Sequence, residues 1–88
     1  KLDWQAQKAE QARIRKIENS LKKIEDEIAA LEEEISAIDE ECAKPENAVN
    51  SAKLNELAAR QQECRERLGT CYETWEDLSM QLDGAKDS

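Results

Sequence analysis

The chain has 88 residues, with 13 basic and 21 acidic side chains, a formal net charge of −8, two glycines and one proline. This length permits one small domain, and so few turn-forming residues argue against the many short strands of an all-β or α/β fold. The abundance of Ala, Glu, Lys, Leu and Arg is typical of a long helix or a coiled coil.

A first helix, predicted over residues 4–43, carries large apolar side chains at alternating steps of three and four residues. This spacing marks the seam of a coiled coil, in which heptad positions a and d face a partner helix. We expect Asp3 to cap the helix and Pro45 to end it, because proline lacks an amide hydrogen and forces its predecessor out of helical geometry. The seam residues are Ile14, Ile17, Leu21, Ile24, Ile28, Leu31, Ile35, Ile38 and Cys42.

A second helix is predicted over residues 51–83 by the same spacing. We expect the side chain of Asn50 or Ser51 to accept a hydrogen bond from its first free amides, and Gly84 to end it in a left-handed conformation. Its seam residues are Leu54, Leu57, Gln61, Cys64, Leu68, Cys71, Trp75, Leu78 and Leu82.

Together these helices predict an all-α fold, an antiparallel two-helix coiled-coil hairpin with a short turn around residues 44–50 and a single domain over residues 1–88. In the expected register each a position faces a d position. The layers are then Cys42 with Leu57, Ile38 with Gln61, Ile35 with Cys64, Leu31 with Leu68, Ile28 with Cys71, Ile24 with Trp75, Leu21 with Leu78, and Ile17 with Leu82.

Charged residues beside the seam are expected to select this alignment while adding little energy. A slip of one heptad also matches charges, but it sets Leu82 against Glu10 and Cys42 against Asn50, and is therefore disfavoured. The expected ion pairs are Glu32 with Arg65, Glu34 with Arg67, and Glu41 with Arg60.

Three cysteines and no histidine give no sign of a metal site, because the cysteine separations fit no zinc-ligand pattern. We interpret the cysteines as small buried apolar residues in a reducing compartment. Without histidine, a glycine-rich phosphate loop or a concave pocket, we expect no catalytic residue and no metal ligand, and hence a non-enzymatic segment.

No apolar run reaches the roughly 20 residues that span a bilayer, and nothing resembles a secretory signal. We therefore expect a cytoplasmic protein with no membrane partner. Because the first residue is Lys1 rather than Met, we also expect this segment to belong to a longer protein.

Charge is distributed unevenly along the first helix. Residues 1–23 carry seven basic and three acidic side chains, whereas residues 24–43 carry nine acidic and no basic ones. A basic stripe of this kind can follow a phosphate backbone, although ordinary solvation of a helix explains it too. Glu76 and Asp83 are expected to share its face and weaken it, and no exposed aromatic side chain is expected within it to stack on bases. The candidate nucleic-acid-binding residues are Lys8, Arg13, Arg15, Lys16, Lys22 and Lys23.

Small side chains occupy the outward positions beyond this stripe, at Ala29, Ala30, Ser36 and Ala37. They would let another helix or a protein surface approach closely, although alanine also simply favours helix. The alternative function is therefore a structural or protein-docking hairpin with no nucleic-acid role.

Three segments resemble the C-terminal coiled-coil domain of ABC-F ATP-binding-cassette proteins of the Uup type. Residues 1–7, KLDWQAQ, resemble its K-L-S-Y-K-E-Q opening. Pro45-Glu46 and residues 53–57, KLNEL, resemble its D-P-E turn and K-L-x-E-L helix start, with Lys44 where the family has Asp. Residues 72–78, YETWEDL, resemble its closing Y-x-x-W-E-x-L, which argues against an unrelated hairpin such as a synthetase arm or a prefoldin-like limb.

This resemblance implies a C-terminal accessory domain that follows two ATP-binding cassettes. ATP and Mg²⁺ would be bound and hydrolysis performed in those cassettes, and the hairpin itself would hold no cofactor. The resemblance also implies action on ribosomes, an association of the hairpin with DNA, and a short 3₁₀ turn within residues 44–49. The expected partners are DNA, ribosomal RNA or tRNA, and the cassettes of the same chain, with the hairpin monomeric.

Overall fold

The computed structural model describes residues 2–87, and in this range every regular element is helical. Helix α1 runs over Leu2–Cys42, a 3₁₀ turn over Pro45–Asn47, and helix α2 over Ser51–Asp87. The helices pack side by side in opposite directions in a rod measuring 72 × 15 × 14 Å. The predicted all-α hairpin with a short 3₁₀ turn is therefore confirmed.

The core of the hairpin is the predicted seam. Every predicted seam residue is buried or half-buried except Trp75, which is 39% exposed. The polar seam residue Gln61 is satisfied, because its Nε2 donates to the Ile35 carbonyl oxygen at 3.3 Å and to a carboxylate oxygen of Asp39. The best-buried seam residues are Ile17, Leu21, Ile28, Leu31, Ile38, Leu57, Cys64 and Cys71.

The hydrogen bonds of Gln61 also identify the register. The expected register places Gln61 opposite Ile38, and its two acceptors lie on Ile35 and Asp39, on either side of that position. A slip of one heptad would instead place Gln61 beside Leu31, two helical turns from Asp39. The predicted register is confirmed.

The predicted ion pairs are wrong, although the register is right. Each arginine that bridges the helices reaches the glutamate one heptad farther from the turn than expected, because lysines near the turn already occupy Glu41. Glu32, expected to pair with Arg65, instead accepts a hydrogen bond of 2.9 Å from the Tyr72 hydroxyl. The cross-helix ion pairs are Lys53 with Glu41, Arg60 with Glu34, and Arg67 with Glu27, each at 3.3 Å.

A buried asparagine organises the turn. Asn47 is only 3% exposed, and its Nδ2 donates to the main-chain carbonyl oxygen of Glu41 at 2.7 Å. The last carbonyls of a helix have no partner within it, so this bond caps α1. Lys44, in extended geometry before Pro45, follows the end of α1 at Cys42.

The capping prediction is confirmed at the start of α2 and is wrong at its end. Asn50 caps its start as predicted, since the Lys53 amide donates to Asn50 Oδ1 at 3.1 Å. The prediction that Gly84 ends the helix is wrong, because α2 continues to Asp87 and no described glycine has a positive φ. Ala85, three residues after Leu82, is 5% exposed, and burying it extends the seam by one position.

At the opposite end of the hairpin, Asp3 does not cap α1 as expected. It lies inside the first turn of the helix, where a negative charge still favours the positive end of the helix dipole.

Candidate functional site

The candidate site is a basic stripe on the outward side of α1, at the end of the rod away from the turn. We define the basic stripe as Lys8, Arg15, Lys16, Lys22 and Lys23, all of which are exposed. Lys8, Arg15 and Lys22 occupy heptad position b, and Lys16 and Lys23 occupy position c, so the stripe faces away from the seam. At about 1.5 Å per residue it extends about 22 Å along the helix.

None of these five cations has a charged partner in the described part of the chain, and four of them have no aromatic partner either. Arg15, Lys16, Lys22 and Lys23 form no ion pair within residues 2–87. The basic residues of α2 near the turn behave differently, because Lys53, Arg60 and Arg67 each pair with a glutamate of α1. Positive charge is therefore neutralised at these three positions beside the seam, whereas the stripe, like Arg65 on the other edge of the seam, has no ion pair within the described residues.

Arg13 does not join the basic stripe. It flanks the seam at heptad position g, where its Nη1 lies 3.7 Å from Oε1 of Glu10. It lines a shallow groove between the helices together with Lys16, Ile17 and Gln81. Of the six predicted residues, five occupy heptad positions b and c, and Arg13 lies at their edge, where it shares the groove with Lys16.

An exposed aromatic ring accompanies the stripe, contrary to the expectation from the sequence. Trp4 is 64% exposed, and Lys8 Nζ lies over its ring, 5.3 Å from the centroid. This geometry is a cation–π interaction. The spacing of four residues was the available signal, since side chains at i and i+4 are neighbours on a helix.

Acidic side chains on α2 lie on the same side as part of the stripe. Glu76 and Asp83 are exposed at position b of α2, and equivalent positions of antiparallel helices lie on the same side of the pair. Within α1, Glu18 is the exposed acidic residue closest in sequence to Arg15 and Lys16. The strongest positive potential is thus expected along α1 itself, away from α2.

A second cluster of charges lies at the turn. Glu41 accepts from Lys44 at 2.9 Å, from Lys53 at 3.3 Å and from Asn47, and these bonds lower its pKa from the usual 4.5 to about 2. The same contact with Glu41 raises the pKa of Lys44. The cluster joins the end of α1, the turn and the start of α2, and its polar groups satisfy one another.

The small-residue face is open to solvent. Ala29, Ala30, Ser36 and Ala37 are all exposed. Ser36 borders one shallow groove beside the seam and Ala37 borders another on the opposite side. Among the side chains that the structure describes, the other large apolar ones left exposed are Val49, Tyr72, Trp75 and Met80.

The cysteines are free thiols. Cys64 and Cys71 are buried in the core, and this burial raises the pKa of both thiols, while Cys42 is half-buried. Within residues 2–87 no three His, Cys, Asp or Glu side chains are grouped so that they could hold a metal ion. In the same range neither helix has an apolar stretch long enough to cross a membrane.

Comparison with known proteins gives one family. A family model described as "ABC transporter C-terminal domain" matches residues 7–80. No curated protein and no solved structure gives a significant match.

Proposed function

The chain belongs to the ABC transporter C-terminal domain family, and on this premise we propose that it is the non-catalytic C-terminal accessory domain of an ABC-F type ATPase that contacts nucleic acid through the basic stripe. The nucleic acid is DNA, ribosomal RNA or tRNA. In this proposal the parent protein is cytoplasmic and the hairpin is monomeric.

The observation that supports the proposal is the set of unpaired cations on the stripe. Arg15, Lys16, Lys22 and Lys23 are exposed and form no ion pair within the described residues, so binding a phosphate would break no existing bond. Each phosphate contact would release condensed counterions and add free energy at low salt. Lys8 and Arg13, each with a local partner, would contribute at the margins of the contact.

The resemblance to ABC-F proteins implies that catalysis belongs to other domains of the parent protein. Two ATP-binding cassettes of the parent chain would bind ATP and Mg²⁺ and perform the hydrolysis. The hairpin would supply no catalytic group, and its rigid seam would hold the stripe at a fixed distance from the turn. The rod measures 72 Å along its longest axis, so a contact at one end can lie far from the other.

The test is a charge reversal at the four unpaired cations, written Arg15→Glu, Lys16→Glu, Lys22→Glu and Lys23→Glu. We expect the combined variant to lose binding to duplex DNA and to ribosomes at about 100 mM salt while keeping its helical circular dichroism. The matched control exchanges each residue for the other basic type, with Arg15→Lys, Lys16→Arg, Lys22→Arg and Lys23→Arg, and should bind as the unaltered chain does. Equal binding by the reversed variant, or no binding by the unaltered chain, would contradict the proposal.

The exposed small-residue face favours a second candidate function, a docking hairpin with no nucleic-acid role. Ala30 and Ala37 are exposed on α1, where a cassette or a ribosomal protein could approach closely. This function predicts an association that is insensitive to salt and is blocked by Ala30→Trp or Ala37→Trp. The charge reversal described above should leave such an association intact.

A further inference from the structure

We propose that Trp4 is a stacking platform for an unpaired nucleobase, so that the basic stripe prefers single-stranded nucleic acid to duplex. This inference rests on the proposed nucleic-acid role and adds the class of ligand. Trp4 lies outside residues 7–80, the range that matches the family model.

Trp4 is aligned with three cations of the basic stripe. A helix turns by about 100° per residue, so Trp4, Lys8, Arg15 and Lys22 all lie within about 40° of one another around the axis of α1. The same four residues span about 27 Å along that axis. An aromatic ring and three cations therefore follow one line on the helix surface, as required by a strand whose base stacks at one end while its backbone runs along the cations.

The ring of Trp4 is exposed to solvent. Trp4 is 64% exposed and contributes nothing to the seam, whose large apolar series begins at Ile14. Lys8 Nζ lies over the ring at 5.3 Å from its centroid, so a cation already accompanies the indole. With the cation over one face, the exposed indole offers its remaining face to a base and the cation's charge to the adjoining phosphate.

The ring of Trp4 can distinguish a single strand from a duplex. Aromatic side chains stack on bases of any sequence, because every base has a π face. In a duplex these faces are covered by neighbouring base pairs, whereas in a single strand they are accessible. The cations attract both forms, so the ring is the element that can distinguish them.

Nearby carboxylates limit the path of the strand. Asp3 and Glu10 occupy heptad position d, away from the line, and Glu18 borders it at position e, the position that Trp4 also occupies. A strand that starts at Trp4 must therefore pass over Lys8 and Arg15 rather than continue along position e.

The test compares two substitutions at one position. Trp4→Leu keeps an apolar side chain and removes the π face, whereas Trp4→Phe keeps an aromatic ring. The probes are an oligothymidylate of about 15 nucleotides, which has no base-paired structure, and a duplex of about 15 base pairs. We expect Trp4→Leu to weaken binding of the oligothymidylate about tenfold and to change duplex binding less than about twofold, and Trp4→Phe to retain most of the affinity.

Fluorescence gives an independent measurement of the same contact. In a Trp75→Phe background Trp4 is the only indole of the chain, and its emission should be quenched when the oligothymidylate binds. Unchanged emission on binding would overturn the inference.

The outcomes separate this inference from the function on which it rests. If the unaltered chain binds both probes and Trp4→Leu weakens neither, or weakens both equally, the stacking platform is wrong and the nucleic-acid role stands. If the unaltered chain binds neither probe, the nucleic-acid role itself is wrong, and if the charge-reversed variant binds as well as the unaltered chain, the basic stripe is not the contact. Selective loss of oligothymidylate binding in Trp4→Leu, restored in Trp4→Phe, supports both.

Discussion

The side-chain amide of Asn47 donates a hydrogen bond of 2.7 Å to the main-chain carbonyl oxygen of Glu41, six residues earlier, and so ties the turn to the last turn of α1. Asn47 is 3% exposed, which makes it the best-buried polar side chain of the hairpin among the described residues. The 3₁₀ turn places this side chain against Glu41, because the main-chain amide of Asn47 donates a hydrogen bond to the Lys44 carbonyl oxygen at 3.0 Å. The geometry of the turn thus depends on one amide side chain.

Removing this amide should destabilise the hairpin. Asn47→Ala leaves the Glu41 carbonyl oxygen without its side-chain donor, and we expect it to lower the free energy of unfolding by about 1–3 kcal/mol. Asn47→Asp should be at least as harmful, because it places a carboxylate beside the same oxygen. Urea unfolding followed by circular dichroism measures the effect. The control is Asn55→Ala, at an exposed position of α2. An equal decrease in the free energy of unfolding in both alanine variants would refute the role of Asn47.

The charge cluster around Glu41 predicts a pH dependence. The hydrogen bonds from Lys44, Lys53 and Asn47 favour the ionised carboxylate and lower its pKa from 4.5 to about 2. A carboxyl group whose pKa is lower in the folded state stabilises the fold fully above its unfolded pKa. This contribution should therefore be present above about pH 4.5 and disappear as the pH falls towards 2.

The measurement is the free energy of unfolding as a function of pH for the unaltered chain and Glu41→Gln. The unaltered chain should be the more stable at neutral pH, and the difference should shrink between pH 4.5 and 2, the range set by the usual and lowered pKa values. Glu40→Gln is the matched control, because the exposed Glu40 forms no ion pair within residues 2–87. A difference for Glu41→Gln that does not vary with pH would rule out the lowered pKa.

The two glycines of α2 give a test of where the helix ends. An added Cβ would meet nothing within 4 Å at either Gly69 or Gly84, and neither has a positive φ. Alanine loses less conformational freedom than glycine in a helix, so each Gly→Ala substitution should stabilise the hairpin, by about 0.5–1 kcal/mol at Gly69 and less near the helix end. The left-handed cap expected from the sequence predicts the opposite sign at Gly84, and thermal unfolding of Gly84→Ala decides between them.

The sequence predicted the parts of the fold that repeat. Nine seam positions on each helix report the same geometry, so the helices followed from periodicity, whereas the turn depended on Pro45 and the register on the polar residues that a slip of one heptad would bring into the seam. Single residues were less predictable. Glycine favours the end of a helix, but α2 continues through Gly84 because Ala85 is buried. Nothing in the spacing around Asn47 marked it as the residue that caps α1. At the candidate site the cations are visible as a charge pattern, but the ring over which Lys8 lies depends on the spacing of four residues between Trp4 and Lys8, which a count of charges does not show.

The prediction of the ion pairs was wrong because the partner of each arginine depends on the neighbouring charges. An arginine at position g can reach either of two glutamates of the facing helix, and the choice depends on which of them is already neutralised. Lys44 and Lys53 occupy Glu41, so Arg60 pairs with Glu34, with Nη2 and Oε1 3.3 Å apart. A double-mutant cycle with Arg60→Gln and Glu34→Gln should give a coupling of about 0.2–1 kcal/mol, as for other exposed pairs, falling at high salt.

A second cycle distinguishes the observed pair from the one expected by sequence. Arg60→Gln combined with Glu41→Gln should give a coupling close to zero, because Glu41 keeps both lysines whether or not Arg60 is present. Replacing Lys44 and Lys53 with Gln should then release Glu41 and allow Arg60 to couple to it. A larger coupling to Glu41 than to Glu34 in the unaltered background would show that the turn lysines do not direct the pairing.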